Sequence, residues 1–113
     1  MHCTTYDSCR RPGWYWVILN ELDVDSASAS ATAFIGVGGA AEMSVEYLVD
    51  QGAVSPAVTV NMVASGSTST WSATSVAPGF HAHRLGALPQ GVKLTLSATE
   101  AMARLRWCES VCC

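Results

Sequence analysis

The sequence predicts an all-β fold: a small antiparallel β-sandwich, jelly-roll or immunoglobulin-like, with an extended N-terminal arm. Three observations predict it. Apolar and polar residues alternate with a period of two through most of the chain, and no sustained apolar stripe at helical spacing occurs. Turn-forming clusters fall at Gly38-Gly39, Asp50-Gln51-Gly52, Ser65-Gly66-Ser67, Pro78-Gly79, Pro89-Gln90-Gly91 and around Thr99-Glu100. That spacing is close to the roughly 8–12 residues of sandwiches and barrels. Third, 113 residues, 50% of them hydrophobic, suffice for one core and one domain.

In chain order, residues 1–13 form the arm, 14–107 the sandwich body and 108–113 a Cys-rich tail. Within the body, strands are expected at Trp14–Val24, Ala29–Val37, Met43–Val49, Ala57–Ala64, Thr70–Ser75, Phe80–Leu85, Val92–Ser97 and Ala101–Trp107. Alternation selects the inward sets Val45, Tyr47 and Val49; Val92, Leu94 and Leu96; and Ala101, Ala103, Leu105 and Trp107. From Ser26 to Ala33, Ser or Thr alternates with Ala, which reads as a flat small-residue strand or as an extended linker.

Trp14, Tyr15, Trp16, Val17, Ile18 and Leu19 are apolar on both faces of a strand. A two-layer body covers one face, so the other calls for a partner or for the chain's own tail, and these six residues are the interface candidates.

Only 13% of the chain is charged and its net charge is −3. A surface so short of charge suits a component packed against other subunits, or a neutral Ser/Thr-rich secreted domain. The six cations, Arg10, Arg11, Arg84, Lys93, Arg104 and Arg106, make no basic stripe, so no nucleic-acid partner is expected. The apolar run Trp14–Leu19 stops far short of a membrane span and lacks a signal-peptide cleavage site, so neither a membrane nor a signal peptide is expected.

All five cysteines stand near the ends: Cys3 and Cys9, then Cys108, Cys112 and Cys113. Disulfides joining the two ends are the expectation, with one cysteine left over; free thiols and a metal site are the alternatives, the latter lacking CxxC spacing.

Three patterns invite a chemical reading. Gly36-Val37-Gly38-Gly39-Ala40-Ala41 matches a GxGxxA dinucleotide fingerprint, which requires a helix starting after the glycines. Asp50 comes too early for the ribose contact, so a glycine-rich turn between strands is preferred. Glu21, Asp23 and Asp25 share one strand face, where carboxylates can bind calcium or simply blunt an edge, and the second reading is preferred. His81 and His83 share a face but supply only two ligands. No catalytic constellation emerges, so no enzyme, cofactor or metal is expected.

Certain phrases carry a family resemblance: Ala77-Pro78-Gly79-Phe80, Leu88-Pro89-Gln90-Gly91-Val92-Lys93-Leu94-Thr95-Leu96, and the closing strand Ala103-Arg104-Leu105-Arg106-Trp107. With them, the chain from about Phe34 to Trp107 resembles the small β-sandwich accessory proteins of tailed-bacteriophage virions, the head-decoration (cement) and tail adornment proteins. The cysteine-bearing ends depart from the usual pattern of that group. The resemblance implies a non-enzymatic virion protein, assembled in host cytoplasm, that stabilises capsid or tail subunits and forms a homo-oligomer. The other class is a secreted-type binding module in which Trp71, Trp14 or Trp16 stacks on sugar rings or meets a protein ligand.

Overall fold

The computed structural model describes residues 17–36 and 39–110, with the backbone alone at 17–20, 25–27 and 109–110. Six strands account for most of this: β1 (Val17–Phe34), β2 (Ala40–Val49), β3 (Ala57–Ala64), β4 (Ser67–Thr74), β5 (Gly79–Leu88) and β6 (Lys93–Ser110). All pairings are antiparallel, within one six-stranded sheet.

β6 organises the sheet. Along one edge it pairs with β1 over nearly its whole length, from Val17 opposite Ser110 to Phe34 opposite Lys93. Its other edge is divided end to end, with β3 against Lys93–Thr99 and β2 against 101–109. β4 continues the sheet beyond β3, and β5 beyond β2, giving the order β4-β3-β6-β2-β5.

The division falls at Glu100, which takes a positive φ of 55° that residues with a side chain rarely adopt. The inward set of β6 changes phase there: Leu94, Leu96 and Ala98 are buried before it, Ala101, Ala103, Leu105 and Trp107 after it. β1 changes phase at the same level. Leu22 and Val24 face the core on one side of Ala27, and Ala29, Ala31 and Ala33 on the other. The ladder skips the Ala27–Glu100 position, between Ser26–Ala101 and Ser28–Thr99. A half-step in both strands lets each restart its alternation with apolar residues still inward.

Glu100 also pins the connection from β2 to β3. Its carboxylate accepts hydrogen bonds from Val54 N at 3.0 Å and Ser55 N at 2.7 Å, and its carbonyl accepts one from Asp50 N at 3.4 Å. The two backbone N–H donors hold the carboxyl below the ordinary glutamate value of 4.5, Val54 contributing most.

The sheet curls into a half-barrel whose hollow holds the core of Met43, Val45, Val58, Val60, Leu94, Leu96 and Leu105, all nearly or wholly inaccessible. The curl brings the two end strands face to face, with Trp71 of β4 stacked on His83 of β5.

The all-β antiparallel architecture agrees with the sequence. Several elements differ. The expected strands Trp14–Val24 and Ala29–Val37 are one strand over their described residues, so 26–33 is strand and not linker. Val92–Ser97 and Ala101–Trp107 are likewise one strand, because Thr99-Glu100 is a kink inside β6 and not a turn. The arm, residues 1–13, lies outside the described residues.

Candidate functional site

The outward face of the layer β5–β2–β6–β1 is where side chains are left to meet something else. Inward positions here are filled by Val45, Tyr47, Val49, Ala101, Ala103 and Leu105. Their alternates point out, and the registers order them in rows across the strands.

The first row runs, by register, from the Asp25 position of β1 through Met102 of β6 and Leu48 of β2 to Phe80 of β5, and its last three members are apolar. All three are exposed, Phe80 by 64%, Met102 by 43% and Leu48 by 40%. A groove of about 340 Å³ follows this row, with Ala103, Arg104 and Glu46 also on its walls. β2 and β6 are thus apolar on both faces at this level.

The second row is Asp23, Arg104, Glu46 and Ala82, and the third is Glu21, Arg106, Ser44 and Arg84. Arg104 donates from Nε to Glu46 Oε1 at 2.6 Å and lies 3.6 Å from Glu21 Oε2. Arg106 comes within 3.8 Å of Glu21 and 3.7 Å of Glu46. The hydrogen bond and charge of Glu46 push the Arg104 guanidinium further above its ordinary value. Glu21 therefore serves an ion-pair ladder beside the apolar row, and Asp23 adds its charge to that ladder; the side chain of Asp25 lies outside the described residues. Arg84, exposed at the end of the third row, has no ion-pair partner among the described residues.

A second cluster closes the hollow. Tyr47 stacks on His81 at 5.2 Å between ring centroids and touches Trp71 at 5.9 Å, and Trp71 stacks on His83 at 5.0 Å. His81 Nε2 is 2.8 Å from the carbonyl oxygen of Ala77. The two imidazoles do share a side, as their spacing required, and the rings of Tyr47 and Trp71 occupy them. Among the described residues no three His, Cys, Asp or Glu side chains gather as metal ligands would.

The other residues singled out in the sequence fall as follows. Trp14, Tyr15 and Trp16 lie outside the described residues, as do Cys3, Cys9, Cys112 and Cys113. Val17, Ile18 and Leu19 open β1, opposite Ser110, Glu109 and Cys108. Cys108 is buried, with its Sγ 3.9 Å from Glu42 Oε2. The GxGxxA pattern fails as a nucleotide loop because Ala40–Val49, which would have to be helical, is strand β2. Its Gly39 has a packing reason: at φ 73°, an added Cβ would come within 2.7 Å of the Leu88 carbonyl oxygen.

The outward apolar row was missed by sequence reasoning, although a signal existed. Leu48 and Met102 stand at positions whose alternates, Ser44 and Glu46 or Arg104 and Arg106, are polar, so each breaks its strand's outward pattern. No protein-family model, curated protein or solved structure matches this chain.

Proposed function

We propose that this chain is a non-enzymatic structural protein of a virion, a capsid decoration (cement) or head–tail accessory protein that stabilises an assembly through subunit contacts. The observation that carries this reading is the exposed row Met102–Leu48–Phe80. At that row the β2–β6 pair is apolar on both faces, and a sheet of that kind is completed by a second layer. The low charge of the chain and its resemblance to phage accessory proteins support the same reading. On it, the half-barrel is the sandwich-like body and residues 1–13 are the arm that reaches a neighbouring subunit. The partners are capsid or tail subunits and other copies of the chain, with no nucleic acid or membrane, and the location is the virion.

The test is quantitative mass spectrometry on density-purified particles made from the genome that encodes the chain. A copy number in fixed ratio to the major capsid or tail protein is expected. Its absence from intact particles would overturn the reading. The alternative, a module that stacks sugars on Trp71, is set back because His83 already covers that ring at 5.0 Å. Glycan binding lost in Trp71→Ala would restore it.

A further inference from the structure

We propose that the outward face of the β5–β2–β6–β1 layer binds a second copy of the chain, across a two-fold axis parallel to the strands and midway between β2 and β6. The inference rests on the assembly reading above and names the partner of that surface.

An axis so placed lays each row of one copy on the same row of the other, read backwards. In the first row, Leu48 meets the second copy's Met102 and Met102 its Leu48, so these two exposed apolar groups cover each other, and Phe80 falls opposite the register position of Asp25. In the second, Arg104 meets the second copy's Glu46 and Glu46 its Arg104. In the third, Glu21 at one end meets the second copy's Arg84 from the other end, and the reverse. Of the charged residues in these rows, Glu21, Arg84, Glu46 and Arg104 acquire an opposite charge, while Asp23, Asp25 and Arg106 fall opposite Ala82, Phe80 and Ser44 of the second copy.

A face-to-face arrangement with its axis along the second row would set Arg104 on Arg104 and Glu46 on Glu46, and like-charge contacts of this kind disfavour that docking mode. The charge pattern therefore favours the axis parallel to the strands over one along the second row. It also gives Arg84 the partner that the described chain withholds. Glu21 and Arg84 stand on β1 and β5 with β6 and β2 between them, about 14 Å apart at the usual strand spacing, so they cannot pair within one chain. The rows cover about 400 Å² per copy, roughly half a standard interface, so a reversible, weak dimer is expected.

The experiment is sedimentation equilibrium or light-scattering chromatography of the full chain from about 1 to about 100 µM, with circular dichroism to verify folding and a non-reducing denaturing gel to identify disulfide-linked species. A non-covalent dimer of the 11.9 kDa chain is expected. Arg84→Glu and Glu21→Arg should each weaken self-association about tenfold or more. An equimolar mixture of the two variants should restore it, because both Glu21–Arg84 contacts become favourable only in the mixed pair. Leu48→Glu should abolish the dimer, while Val63→Glu, an exposed apolar position on β3, should leave it intact. A wild-type chain that stays monomeric throughout, a dimer that is only disulfide-linked, or a mixture that fails to recover association would overturn the proposal. Arg84 has no ion-pair partner in the described chain, so its variant tests the idea even if Leu48→Glu misfolds. A monomeric chain found in particles sinks the dimer and leaves the virion role; a dimer absent from particles does the reverse.

Discussion

Trp71 lies on His83 with ring centroids 5.0 Å apart and planes 17° apart, although their strands are the two ends of the sheet. Side chains, in place of a backbone ladder, close the half-barrel here. Trp71→Ala should therefore remove the contacts with both His83 and Tyr47 and cost about 2–3 kcal/mol, less than a fully buried tryptophan because this one is half-buried. Urea unfolding checks it, and a loss under about 0.5 kcal/mol would mean that other contacts hold the edges together.

Glu100 makes stability depend on acid. Its carboxyl is held below 4.5 by the Val54 and Ser55 N–H groups, so its contribution is present above the unfolded value and lost as the pH falls through the lower folded value. Melting temperatures measured from neutral pH down to about pH 3 should show this loss in the wild type and a flatter acid limb in Glu100→Gln. Parallel acid limbs in the two proteins would remove Glu100 from the account.

Inward and outward positions of the same strand should respond very unequally to truncation. Leu105 is inaccessible, and Leu105→Ala should cost about 2–5 kcal/mol. Met102 is 43% exposed, and in the monomer Met102→Ala should cost less than about 0.5 kcal/mol. Equal costs in chemical denaturation would mean that the alternation assigned to β6 is wrong.

The cysteines are expected to join the two ends of the chain. Val17 faces Ser110 and Leu19 faces Cys108, so the strand that enters the sheet runs beside the one that leaves it. At least one link from Cys3 or Cys9 to Cys108, Cys112 or Cys113 should follow; closing a loop near 100 residues is worth about 4–5 kcal/mol in the chain-entropy model. Peptide mapping under non-reducing conditions, after blocking free thiols, should find it. Five blocked cysteines would rule it out.

Local chemistry made much of the fold legible. Ala57–Ala64 is a strand with the bounds its alternation suggested, and Asp50-Gln51-Gly52, Ser65-Gly66 and Pro89-Gln90-Gly91 lie in the connections. The misreadings have physical causes. The spacing of turn signals places a turn around Thr99-Glu100, whereas a glutamate gives no local sign of the left-handed backbone that kinks β6 there. The Trp71–His83 closure joins residues from opposite ends of the sheet, a relation set by the curl, which no local pattern encodes. Of the candidate surface, the charged stripe is legible as a face on an edge strand, since β1 pairs only with β6 among the described strands; its arginine partners required the register of β1 on β6.

The paired half-steps at Ala27 and Glu100 constrain how this chain can change length. Losing Glu100 alone would put Ala101, Ala103, Leu105 and Trp107 in step with Leu94, Leu96 and Ala98 along a straight β6, while β1 kept its own offset at Ala27. The two strands would then disagree about which side is inside. Losing both residues would restore agreement and yield two uninterrupted amphipathic strands, free of the corner where β6 passes from β3 to β2. Single-codon deletions at these sites are therefore incompatible one at a time and compatible together, so a shorter lineage of this fold would carry both gaps, and a flatter sheet with them.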